Sequence, residues 1–177
     1  LKKLPLEQVL PQRPRTTFNI RHTVGISDPL TKSDLPPAER LNDGEPETLE
    51  EYVARDGLRY LKVKISGDAD ADLARLGRIW DVIARADQPV ITLDGNESYQ
   101  DLDAFARFVD AFEEKHLGLF QHTAFIEQPL TRTLTLDSNT ASTVAAISQK
   151  KPLVIDEADR TLNAFRDAFQ IGYSGTS

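Results

Sequence analysis

The chain has 177 residues, a net charge of −7 and a pI near 5.0, which suits one domain with an ordinary core and argues against a nucleic-acid surface. It contains no cysteine, which excludes a disulfide framework and cysteine-held zinc. No apolar run approaches the ~18–20 residues that cross a bilayer, and the first residues lack the apolar stretch of a signal peptide, so the expected location is the cytoplasm.

Residues 1–17 place Pro5, Pro11 and Pro14 among polar neighbours and read as a connecting segment. Residues 18–25, FNIRHTVG, alternate apolar and polar side chains and predict a strand. His22 on that strand is given a packing or substrate-contact role. Residues 27–47 hold four prolines and predict a long loop. A short helix follows over 48–55, with Thr48 as N-cap and Glu51 placed as in a capping box. The chain then becomes rhythmic, with strands over 61–65, 90–93, 124–126 and 153–155. Between the strands, Leu73, Leu76, Ile79, Trp80 and Ile83 mark one helical face, and Leu102, Phe105, Phe108, Val109 and Phe112 mark another. The acidic run Gly67–Asp72 lacks the glycine and terminal glutamate of an EF-hand loop and reads as helix-start charge. A helix over 138–148, one marked by Leu162, Phe165 and Phe169, and a strand opening over 171–173 complete the series. His116 and His122 are expected at the surface.

Strict strand–helix alternation with short apolar strands predicts a parallel sheet covered on both faces. An open doubly wound sheet and a (β/α) barrel both satisfy that pattern, but no glycine-rich phosphate-binding fingerprint accompanies it. The strand ends are more informative. VITL runs into Asp94, AFI into Glu127, and LVI into Asp156 with Glu157 beside it. Lys62 and Lys64 lie two apart on the preceding strand and so share a face. In a parallel barrel these ends open onto one rim. Carboxylates gathered there repel one another unless a cation joins them. An all-oxygen donor set suits Mg²⁺, with Mn²⁺ as an alternative. Lys64 is then the expected general base. Lys62 is the neighbour whose charge favours a neutral Lys64 and which pairs with a substrate carboxylate.

The motifs LKVKI, LDGN, FIEQPL and VIDEAD resemble the enolase superfamily, in its mandelate racemase/muconate lactonizing enzyme group. The first strand, RHTVG, resembles that group's opening barrel strand. The resemblance implies a TIM-type (β/α) barrel over residues 18–177. It also implies Mg²⁺ held by Asp94, Glu127 and Asp156, and Lys64 as a base removing the α-proton of a small carboxylate substrate to give a metal-stabilised enediolate. Asn96, Gln128 and Glu157 are implied to support the ligands or touch substrate, and the Asp156–Glu157 pair leaves the register of the third ligand open. Racemisation or epimerisation, cycloisomerisation and acid-sugar dehydration all fit, and the group's habit of assembly leaves room for a homo-oligomer. A full barrel needs ~250 residues, so the last two strands, the opposing acid/base and a capping domain are expected outside this sequence, and the stretch alone is expected to be inactive. Two other readings stay open: a barrel relative that binds metal or a partner without turnover, and a different metal-dependent barrel lyase or aldolase.

Overall fold

In the computed structural model, which describes residue 10 and residues 13–177, six parallel strands form one sheet in the order β1-β2-β3-β4-β5-β6. The strands are β1 His22–Val24, β2 Tyr60–Lys64, β3 Val90–Asp94, β4 Thr123–Glu127, β5 Leu153–Ile155 and β6 Gly175–Thr176. Each strand pairs with the next in sequence. This is the neighbour order of a (β/α) barrel rather than the crossed order of a doubly wound sheet. Most of the predicted connecting segment lies outside the described residues. Among those described, no helix is long and apolar enough to cross a membrane.

Side-chain alternation sorts the strands into two faces. Leu61, Val63, Ile91, Leu93, Ile126, Leu153 and Ile155 are buried in the main apolar core, each at most 1% exposed. The helices that cover them begin where their capping residues stand. Helix α1 (Leu49–Asp56) starts at Thr48, whose hydroxyl accepts from the Glu51 N–H at 3.3 Å. The Glu51 carboxylate accepts from the Glu47 N–H at 2.9 Å rather than completing a capping box. Helix α2 (Ala69–Ile83) is capped by Asp68, as the helix-start reading of the acidic run expects. Helix α3 (Leu102–Lys115) starts at Asp101, which accepts from Ala104. Its phenylalanines form an aromatic chain, with Tyr99 to Phe108 at 5.5 Å and Phe108 to Phe112 at 5.9 Å between ring centroids.

Four predictions need correction. The first strand is shorter than 18–25, because Phe18 and Ile20 are 80% and 69% exposed and pair with nothing. Two short helices were not foreseen, α4 (Leu117–His122) and α5 (Arg132–Thr135). The helix predicted over 138–148 is a 3₁₀ turn at Ser138–Thr140 followed by α6 (Ala141–Lys150). The apolar run over 171–173 is not a strand. Ile171 ends helix α7 (Ala164–Ile171), and Gly172 turns the chain at φ +125° with only 3.0 Å between a built Cβ and the Ala145 Cα. The sixth strand forms two residues beyond that run.

Candidate active site

Register places the charged residues on one rim. Lys64 lies opposite Asp94, and Asp94 opposite Glu127, so three neighbouring strands present charge in a single layer. Lys62 sits one layer below, opposite Thr23 and Thr92. The Lys62 amine donates to Glu127 Oε1 at 2.9 Å and lies 2.8 Å from Asp94 Oδ2. The Lys64 amine donates to Asp94 Oδ2 at 2.6 Å and to Asn96 Oδ1 at 2.5 Å. Asp94 and Glu127 are fully buried, whereas the Lys62 and Lys64 side chains are 16% and 26% exposed. The site therefore has a fixed acidic floor reached by two more accessible amines.

Burial opposes the charged form of Lys62, but its bonds to Asp94 and Glu127 outweigh that and raise its pKa. Burial likewise opposes charge on Asp94, and the hydrogen bonds from Lys62, Lys64 and the Asn96 N–H overcome it and lower the pKa. Asp156 moves the other way. Burial raises its carboxyl, and the nearby charges of Glu157, Glu127 and Asp94 add to the rise. The four acids thus share one local field.

The Asn96 and Gln128 backbones reach φ +42° and +33° at the turns after β3 and β4. Asn96 links the two sides of the rim, accepting from Lys64 and donating from Nδ2 to Glu157 Oε1 at 2.8 Å. Gly95 lets these turns touch, since a Cβ there would stand 2.6 Å from the Pro129 Cα. Gln128 is fully buried and bonded to protein groups on both ends of its amide. His22 lies with its ring tilted against Tyr52, 4.6 Å between centroids. Its strand neighbour Thr23 lies on the inner face with Lys62.

Three groups escaped the sequence reading. Arg21 reaches Thr92 Oγ1 at 3.3 Å, and the two-residue period from Thr23 carries the signal for it. Arg132 binds Glu97 through its guanidinium and its backbone N–H, holding that carboxyl down at about 2. Asp72, 5% exposed, accepts from the Ser66 and Gly67 N–H groups at 2.8 and 3.0 Å and so fixes the loop after Lys64. The Arg132–Glu97 pair carries no local sequence signal, because its members lie 35 residues apart and meet only where the turns after β3 and β4 come together, whereas the Asp72 contacts are local, within six residues.

Among the described residues, no three Asp, Glu, His or Cys side chains stand at metal-coordinating spacing. Asp94 and Glu127 instead share the Lys62 ammonium. The donor set nevertheless fits a hard divalent cation. Glu127 Oε2 and Glu157 Oε2 are buried acceptors without a hydrogen-bond partner, and burial, then the neighbouring charges of Glu157 and Glu127, raise the Asp156 carboxyl.

The comparisons with known proteins agree with this architecture. The family model for the enolase C-terminal domain-like fold matches residues 46–175. No curated protein matches the chain. Among solved structures, the N-succinyl Arg/Lys racemase from Bacillus cereus ATCC 14579 is similar at TM-score 0.62 and 18% identity, covering 94% of this chain and 38% of that one. The muconate lactonizing enzyme from Pseudomonas putida is similar at TM-score 0.60 and 17% identity, covering 92% and 39%. The dipeptide epimerase from Cytophaga hutchinsonii, solved with Mg and the dipeptide D-Ala-L-Val, is similar at TM-score 0.55 and 17% identity, covering 89% and 36%. The chain spans less than two fifths of each of these chains, and at such identities the likeness shows the fold. The family model covers well over half of the chain, which therefore belongs to the enolase C-terminal domain-like family of the enolase superfamily.

Proposed function

We propose that this rim belongs to a divalent-metal-dependent isomerase or lyase that removes the proton from the carbon beside a substrate carboxylate. Asp94, Glu127 and Asp156 would hold Mg²⁺, or Mn²⁺ in its place. When bound, the cation supplies positive charge to the substrate carboxylate as charge develops on its oxygens. Lys64 takes the proton. The C–H bond breaks, the proton moves to the Lys64 nitrogen, and the electron pair passes into the carboxylate. Lys62, whose amine lies beside Asp94 and Glu127, pairs with the incoming carboxylate and orients it. Asn96 aligns the Lys64 amine and Glu157, and residues 18–177 form the catalytic portion with residues 1–17 as a connection to it. Racemisation or epimerisation, cycloisomerisation and dehydration all begin with this step, and structurally similar proteins include a racemase and an epimerase.

One observation carries the proposal: the registered layer Lys64–Asp94–Glu127, with the Lys64 amine 2.6 Å from the Asp94 carboxylate. The test is α-proton exchange by the intact enzyme in D₂O with Mg²⁺, using hydroxy acids, N-acyl amino acids and dipeptides followed by NMR. Lys64→Ala should abolish exchange and leave Mg²⁺ binding largely intact. Exchange that survives the substitution would remove Lys64 from the role of base.

A further inference from the structure

Gln128 joins the turns at the ends of three strands. Its carbonyl accepts from the Glu97 N–H at 2.9 Å, in the turn after β3. Its side-chain oxygen accepts from the Asp156 N–H at 2.9 Å and the Ala158 N–H at 3.1 Å, in the turn after β5. Its side-chain nitrogen donates to Leu130 O at 2.8 Å, in the loop after β4, and to Thr135 Oγ1 at 2.9 Å, at the end of α5. The residue is fully buried and adopts a positive φ that L side chains rarely take.

Side-chain chemistry narrows what this position accepts. The site asks for an acceptor facing two N–H groups and two donors facing a carbonyl and a hydroxyl. Glutamine supplies both. Ionised glutamate has no donor, methionine has neither function in useful strength, and asparagine is one methylene shorter.

We propose that Gln128 is a positioning residue that fixes the Asp156–Glu157 turn against Glu127 before any cation arrives. This rests on the metal-site reading above and deepens it. The clamp holds the backbone of the turn, so the Asp156 carboxyl is presented at a set distance from Glu127 instead of being gathered by the ion. Groups that orient metal ligands typically account for 10–100-fold in metal affinity.

Two measurements on the full chain test this. In the metal-free wild type, the Asp156 and Ala158 amides should exchange with D₂O slowly, and adding Mg²⁺ should change their protection little. Exchange as fast as that of an open loop without Mg²⁺ would overturn the clamp, whether or not the protein binds metal. The second measurement is Mn²⁺ affinity by electron paramagnetic resonance. Gln128→Met should weaken it tenfold or more. Thr135→Val, which removes one acceptor of the Gln128 amide but leaves both bonds to the Asp156 turn, should lower the melting temperature and keep Mn²⁺ affinity within about threefold of wild type. Equal affinity in Gln128→Met and wild type, or an equal loss in both variants, would overturn the inference. If wild type binds no Mn²⁺, the metal-site reading fails separately, and the exchange result still decides whether the turn is held.

Discussion

At the scale of single residues, the site is a set of buried acids whose negative charge is answered by amines from the neighbouring strand. Breaking a buried pair costs more than the pair is worth, because the remaining charge stays in a poor solvent. Lys62→Met should therefore destabilise the metal-free protein by about 3–5 kcal/mol, measured by urea unfolding, and Mg²⁺ should recover part of the loss. An unchanged midpoint would mean that Asp94 and Glu127 do not depend on this amine. Lys151 offers a contrast outside the site. The residue is 7% exposed, and its amine donates to the Phe120 and Thr123 carbonyls at 2.6 and 2.7 Å, tying the end of α4 to the start of β4. Lys151→Met leaves those carbonyls without a donor and should cost about 1–3 kcal/mol without altering metal affinity.

At the scale of elements, strand ends made much of the candidate site legible. Lys64, Asp94 and Glu127 each close their strand, and the two-residue period of β2 puts Lys62 on the same face as Lys64, although the pairing of β3 with β4 shifts register between Ile91 and Thr92. Legibility ended where the backbone leaves the strand. Asn96, Glu97 and Gln128 all take positive φ, so alternation no longer says where their side chains point, and the Glu97–Arg132 pair and the hydrogen bonds of the Gln128 amide emerged only from the structure. Short helices hid for a different reason. Leu117–His122 is too brief for a 3.6-residue period to show. The apolar run at Ile171 and Tyr173 misled because both residues are buried, at 6% and 2% exposure, without belonging to a strand. The contact between the turns after β3 and β4 gives a test at this scale. Gly95→Ala should force the Pro129 backbone aside and cost about 1–3 kcal/mol in unfolding free energy. A neutral result would mean that the two turns part freely.

At the scale of the whole molecule, ion pairs fasten the loops around a sheet that holds itself by apolar burial. Asp34 is brought down to about 2 by Arg78, Glu51 to about 2 by the Glu47 N–H and Arg40, and Glu97 to about 2 by Arg132. Each folded-state value lies below the ordinary carboxylate range near 4. The stabilisation from these pairs is therefore present above pH ~4 and lost as pH falls towards 2. The melting temperature should drop across that window. Arg132→Ala should reduce the drop, and high salt should reduce it further, because these groups are solvent-accessible. A melting temperature independent of pH over this range would contradict the assignment.

The measurement closest to the central claim is a crystal structure of the full chain grown with Mn²⁺, read through anomalous scattering. The account predicts one strong peak within ligand distance of carboxylate oxygens from Asp94, Glu127 and Asp156, with the Lys62 amine displaced from the acids and the Lys64 amine facing the same cavity. A peak held elsewhere, or a Lys64 amine turned to bulk solvent beside a filled site, would contradict it.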